Sequence, residues 1–212
     1  MNMDKILPIS IVLDDHLLFL DSFSALLERL EIFREVHSFH KEHDLIQFLI
    51  HHPQDKIYLY LDYYLNGKNS LPLFNEIKRL NRKTEVIVVS SVTTPITIGN
   101  ILNYQPRAVI SKSSGLDSIL QCKKVIDNGE QYLCPEIKKI INNSPQKSDI
   151  PFSSRELEIL QYFAKGLSIV QTAEQTHLSK HTIVSHRRKM MHKAQVNSIT
   201  ELLAFARSLE LV

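Results

Sequence analysis

Asp62 stands at the end of the apolar and aromatic run in "KIYLYLDYYLNG", residues 56–67, which has the marks of a buried strand. A carboxylate removed from water costs several kcal/mol, on the order-of-magnitude scale, unless it is paired, hydrogen-bonded or metal-bound. Its companions must therefore come from elsewhere in the chain. Candidates end other apolar runs: Asp14 and Asp15 in "IVLDDH", Ser90 and Ser91 in "IVVSS", and Lys112 in "VISKSS". If these runs are strands of one doubly wound sheet, their carboxyl ends share the rim where such sheets build sites. Clustered carboxylates repel one another and suit a hard divalent cation such as Mg²⁺, which takes a few oxygen ligands and keeps waters or phosphate oxygens for the rest. Asp62 would then be the nucleophile toward a phosphoryl group. Lys112 and the cation would neutralise the phosphoryl oxygens, and the Ser90 hydroxyl would donate a hydrogen bond to the acyl phosphate formed. A strand-end acid taken singly is ordinarily a cap or turn residue; it is the conjunction of four strand ends that makes a site.

A second constellation is contiguous. From His177 to Lys193 the chain holds five Lys or Arg residues, four His and no acid, a local positive patch of the kind that seeks phosphate. If 180–193 is helical, Ile183, Met190 and Ala194 share one stripe, and His181, Val184, Ser185, Arg188 and His192 share another. One side packs and the other faces outward. The preceding "SIVQTAEQTH", the short turn "HLSK" and this basic helix form a helix-turn-helix pattern, whose second helix enters the DNA major groove. Arg188 would read guanine O6 and N7, Ser185 a base edge and Val184 a thymine methyl. Lys180, His181, Thr182, Arg187 and Lys193, at the helix ends and flanks, would hold phosphates. A solvated basic helix with no ligand is the bland alternative.

The elements that must position these groups follow from periodicity. Over the first 130 residues, β-branched or aromatic runs at 6–13, 33–39, 57–61, 84–90 and 106–111 alternate with helix-period segments at 16–30, 41–51, 70–81, 94–103 and 115–129. That alternation is the pattern of an α/β domain with a five-stranded parallel, doubly wound sheet. Residues 131–151 hold a short helical piece near 135–142 and the start of "NNSPQKSDIPFSS", a linker by composition. Residues 152–212 carry no strand signal and four helical segments, 153–165, 168–176, 180–193 and 198–209, with a Ser153–Glu156 capping box and Gly166 as a stop.

Composition excludes several classes. The 212 residues, 43% hydrophobic and 23% charged, suit one large or two small globular domains. No apolar run reaches the roughly 18 residues of a membrane span, and Pro8, Asp14 and Asp15 interrupt the first apolar stretch as no signal peptide does, so a cytoplasmic protein is expected. Cys122 and Cys134 fit no metal spacing and read as packed thiols. The histidines of "HSFHKEH" and "IHHP" have no second cluster to complete a metal site, and Tyr58, Tyr60, Tyr63 and Tyr64 read as packing.

The residues of "IVLDDH", the Asp of "YLYLD", the Ser of "IVVSS" and the Lys of "VISK" resemble, in order and spacing, the receiver domain of bacterial two-component response regulators over about residues 5–130. The resemblance implies a flavodoxin-like fold and an Mg²⁺ ion held by Asp14, Asp15, Asp62 and the backbone carbonyl of Tyr64. It implies that Asp62 is phosphorylated by a sensor histidine kinase, with Ser90 and Lys112 sensing the phosphoryl group. Asn66 stands where that family usually has Pro, Ser70 where it has Gly, and Val109 at the switch position where it has an aromatic ring. Residues 152–209, through "FSSRELEILQYFAKGLS" and "LSKHTIVSHRRKMMHKA", resemble the C-terminal domain of the LuxR family, with Val184 in place of a common Lys. Together the two halves resemble the NarL/FixJ class of response regulators. In that class the last helix commonly pairs two subunits, so the stripe of Ile199, Leu202, Leu203 and Ala206 is a homodimer candidate, with core packing as the alternative.

Three functions compete on these grounds. The first is a double-stranded-DNA-binding transcription regulator, not an enzyme, switched by phosphorylation of Asp62. A regulator indifferent to phosphate, driven by dimerisation or a protein partner, is the second. A metal-dependent phosphatase is the third, but such enzymes usually carry a second acid two residues after the nucleophile, where this chain has Tyr64.

Overall fold

The computed structural model describes residues 7–91, 94–143, 152–209, 211 and 212. In chain order the N-terminal elements are β1 (Ile9–Leu13), α1 (Leu17–Arg29), β2 (Glu35–Phe39), α2 (Glu42–His51), β3 (Ile57–Asp62), β4 (Tyr64–Leu65), β5 (Lys68–Asn69), α3 (Leu73–Leu80), β6 (Thr84–Ser90), α4 (Pro95–Asn103), β7 (Ala108–Ser111), α5 (Leu116–Asp127), β8 (Tyr132–Leu133) and α6 (Pro135–Asn142). Four helices follow: α7 (Ser154–Ala164), α8 (Ile169–Thr176), α9 (Lys180–Lys193) and α10 (Ile199–Ser208).

The main sheet is parallel, in the order β2-β1-β3-β6-β7-β8. β1 and β3 are buried along their whole length, which is why both read as unbroken apolar or aromatic runs: a parallel sheet is covered on both faces. The aromatic residues of β3 pack as expected. Tyr60 meets Phe23 of α1 edge-on at 5.2 Å between centroids, and Tyr58 and Tyr63 are buried, whereas Tyr64 is exposed. Both cysteines are buried free thiols. The chain passes from β1 to β2 on one side and then to β3 on the other, so the strand order reverses at β1 and opens a crevice at its carboxyl end.

The sheet has six strands rather than the five expected. β8 is two residues long, held at the edge by Tyr132 N–H to Arg107 O and Cys134 N–H to Val109 O, each 3.0 Å. Two residues carry no readable alternation. The structure also forms a small antiparallel hairpin, β4 with β5, directly after Asp62. Asn66 and Gly67 close it with φ of 51° and 73°, both in the left-handed region a two-residue primed turn requires, which the Asn-Gly pair adopts at least cost.

Contacts group the chain into two compact units: Met1–Val92 with Gln105–Lys139, and Thr93–Tyr104 with Ile140–Val212. α4 therefore groups with the C-terminal helices, although its place in the alternation assigns it to the first 130 residues. Most of the expected linker, residues 144–151, lies outside the described residues. Within the C-terminal unit the capping box of Ser153 and Glu156 is formed, and Gly166, at φ 82°, ends α7. Ser168 and Gln171 cap α8 in the same reciprocal way. His177, in the left-handed region, turns the chain out of α8, and the Ser179 hydroxyl accepts from Thr182 N–H to start α9.

Candidate functional site

Four adjacent strand ends deliver the side chains of the first site. Asp14 and Asp15 follow β1, Asp62 is the last residue of β3, Ser90 the last of β6, and Lys112 follows β7, its N–H donating to Ser90 O at 2.9 Å. Asp14 is 1% exposed and Asp62 5%, so both charges are deep in the rim. Lys112 Nζ lies between them, 2.6 Å from Asp14 Oδ2 and 3.0 Å from Asp62 Oδ2. The ammonium sits 4.5 Å from the centroid of the Phe19 ring of α1, a contact that also favours its position. Burial, with Asp14 as a like charge beside it, raises the Asp62 carboxyl above its ordinary value despite the Lys112 hydrogen bond.

The loop after β3 ties the pocket together. Ser70 Oγ donates to the Asp62 backbone carbonyl at 2.6 Å and Ser70 N–H to Tyr63 O at 2.8 Å. Asn66 N–H, at the hairpin tip, donates to Asp15 Oδ2 at 2.8 Å. Asn66 and Ser70 are thus positioning residues, and the Asn-Gly pair was the signal for the first of them. Tyr64, two residues past Asp62, lies in β4 with its ring exposed. Val109, expected as a switch residue, is fully interred in β7, paired in register with Val88 and Leu133, as a packed aliphatic group.

The donor set suits a divalent cation. Asp14 Oδ2 and Asp15 Oδ1 are buried carboxylate oxygens whose near neighbours are cationic or nitrogen groups. Asp14 Oδ2 has the Lys112 ammonium against it, and Asp15 Oδ1 has His16 Nδ1 at 3.2 Å. Three carboxylates facing a single ammonium leave negative charge that a hard cation offsets.

The second site is the outer face of α9. Ile183 and Met190 are fully buried against the other helices, and opposite them Lys180, His181, Ser185, Arg188, Lys189 and His192 are exposed. Val184, Thr182 and Arg187 are half-buried at the edges of that face. The Thr182 hydroxyl lies 2.8 Å from Ser179 Oγ, within the N-cap. Lys189 was overlooked in the pattern of stripes, though it stands on the exposed side with its neighbours. Lys193 is different: its ammonium donates to Glu156 Oε2 at 2.6 Å, joining the end of α9 to the start of α7. Of the proposed pairing stripe on α10, Leu202 and Ala206 are fully buried within the unit and only Ile199 and Leu203 are half-exposed, which favours core packing for the first two.

Comparison with known proteins finds relatives over most of the chain's length. Residues 151–206 match the profile described as bacterial regulatory proteins, luxR family. The fimbriae Z protein of Salmonella typhimurium is 29% identical over 206 residues, covering 95% of this chain and 97% of its own. The response regulator UvrY of Escherichia coli K12 is 24% identical over 152 residues, 69% of this chain and 70% of that one. In fold, the chain is similar to RcsB of Salmonella enterica serovar Typhimurium bound to the promoter rprA in the presence of the phosphomimetic BeF3⁻, with a TM-score of 0.63, 21% identity, and coverage of 94% and 98%. Residues 151–206 are thus similar to a luxR-family domain, and the chain as a whole is similar to the fimbriae Z protein and, over 69% of its length, to a protein described as a response regulator.

Proposed function

We propose that the chain is a DNA-binding transcription regulator of a two-component system, with a receiver domain at residues 1–130 and a DNA-binding domain at 152–212. The observation that carries the receiver half is the meeting of Asp14, Asp62 and Lys112 at one buried point from three strand ends. Asp62 accepts the phosphoryl group: a carboxylate oxygen bonds to phosphorus as the bond from phosphorus to the donor, a histidine of a sensor kinase or a small acyl phosphate, breaks. Asp14, Asp15, Asp62 and the Tyr64 carbonyl would hold Mg²⁺, which would supply charge neutralisation at the phosphoryl oxygens. Lys112, released from its pairing with the Asp62 carboxylate, follows the charge onto the phosphoryl group, and Ser90 donates to it from the adjacent strand end. The α9 face reads duplex DNA, with Val184, Ser185 and Arg188 toward bases and Lys180, His181, Thr182 and Arg187 toward phosphates. Lys193 reaches a phosphate only at the expense of Glu156.

Like the RcsB structures solved as dimers on DNA, the chain acts as a homodimer in this reading. Among the described residues no helix is long and apolar enough to cross a membrane. Incubation with Mg²⁺ and acetyl phosphate tests the reading: one phosphate per chain, lost in Asp62→Asn, is expected. Sustained turnover would instead point to a phosphatase.

Two observations favour a second reading, a receiver indifferent to phosphate. Lys112 already bridges both buried acids, and Val109 has no ring to reposition. An Asp62→Asn variant that regulates its promoters as the parent does would establish that reading.

A further inference from the structure

We infer that His16 gives the carboxylate pocket a nitrogen donor, so that the pocket takes first-row divalent transition ions in preference to Mg²⁺. This rests on the cation-binding reading of the pocket and adds a residue to it. His16 Nδ1 lies 3.2 Å from Asp14 Oδ1, 3.2 Å from Asp15 Oδ1 and 3.9 Å from Asp62 Oδ2. One ligand atom from each of these four residues falls within 4.8 Å of every other. An ion about 2.1–2.2 Å from each donor sets cis donors about 3.0 Å apart and trans donors about 4.3 Å apart, a span that contains the 3.2, 3.2 and 3.9 Å separations of His16 Nδ1 from the three carboxylates.

The backbone places His16 beside the pocket. His16 N–H donates to Asp14 Oδ1 at 2.9 Å, which fixes the chain over the mouth of the pocket. The His16 side chain is 69% exposed and turns its ring at little cost. An all-oxygen set suits Mg²⁺, whereas an imidazole tilts affinity along the Mn²⁺ to Zn²⁺ series. The competing explanation is an imidazole N–H, or an imidazolium, bonded to Asp14 and Asp15. In that arrangement His16 occupies the pocket against any cation, so its removal raises affinity for all ions or leaves all unchanged.

Calorimetric titration of the full chain with Mg²⁺, Co²⁺ and Zn²⁺ at neutral pH, compared between the parent and His16→Ala, separates these outcomes. The ten histidines of the chain provide incidental sites, and the difference between the two proteins cancels them. With nitrogen ligation, His16→Ala weakens Co²⁺ and Zn²⁺ by about tenfold or more and leaves Mg²⁺ within about twofold. The visible spectrum of Co²⁺ bound at the tightest site also shifts on loss of the nitrogen. An equal response of all three ions, in either direction, with Mg²⁺ still bound overturns the role of His16 alone. Absence of any divalent binding that Asp14→Asn abolishes overturns the pocket reading and the inference with it.

Discussion

The acidic pocket and the basic helix face solve opposite electrostatic problems. In the pocket, Asp14 and Asp62 are almost fully buried and tolerable only because Lys112, delivered from a strand end 50 residues beyond Asp62, sits between them. On α9 most of the charges, Lys180, Arg188 and Lys189 among them, are exposed to water, while Arg187 is half-buried. Lys193 is the exception, spent on Glu156. A buried charged site must be satisfied before it does anything, so its parts are held to one another. An exposed one is satisfied by water and remains available to phosphate. The first is therefore sensitive to a single deletion, and the second loses function residue by residue.

The largest effect tests the first half of that contrast. Asp62→Asn should abolish phosphoryl incorporation, read by mass spectrometry after acetyl phosphate treatment; phosphate retained on another residue would displace Asp62 from its role. Lys112→Ala should cost about 3 kcal/mol of receiver stability in chemical denaturation without divalent ions, because it leaves two buried acids facing each other, and added Mg²⁺ should restore part of it. A loss below 1 kcal/mol, on the scale of a surface pair, would remove the distinction between the two regions.

On the exposed side, Arg188→Ala should cost about 1–3 kcal/mol on a preferred duplex and relax base preference at one position while leaving the fold unchanged. Equal losses on preferred and random duplexes would reassign Arg188 to phosphate contact. Lys193→Ala should behave like a pocket residue, lowering stability by about 1 kcal/mol. Burial opposes ionisation of Glu156, but Lys193 and the Ser153 contacts hold its carboxyl below its ordinary value. The contribution is then present above the unfolded Glu value and lost as pH falls through the lower folded one.

The smallest effect lies away from both sites. Asp127 is opposed by burial yet held down at about 2 by Lys123, Tyr58 and Lys56. Its contribution, about 1 kcal/mol after solvent screening, should be present above the unfolded Asp value and fade as pH falls toward 2, a dependence absent in Asp127→Asn.

What could be read in advance follows the same division. The α9 face is contiguous, so its helical period sorted Ile183 and Met190 from Ser185 and Arg188 directly. The pocket was legible only because strand ends of a parallel sheet converge, a rule of topology that brings Asp14, Asp62, Ser90 and Lys112 together without any local signal. Contacts that depend on backbone conformation or on tertiary approach were not legible. The Asn66 N–H donates to Asp15 only once the primed turn forms, Lys193 meets Glu156 only when α7 and α9 pack, and β8 is too short to show a period. His16 adjoins the paired acids in sequence, but that its Nδ1 lies 3.2 Å from an oxygen of each depends on a side-chain conformation no sequence pattern shows.

The link between the two regions is tested most directly by the affinity of the full chain for a duplex selected from a randomised pool, measured with and without Mg²⁺ and acetyl phosphate in the parent and in Asp62→Asn. Phosphorylation should tighten the parent by about 5- to 150-fold, a coupling of about 1–3 kcal/mol, and leave Asp62→Asn unmoved. Identical affinities in all four conditions would contradict control of the basic face by the buried aspartate.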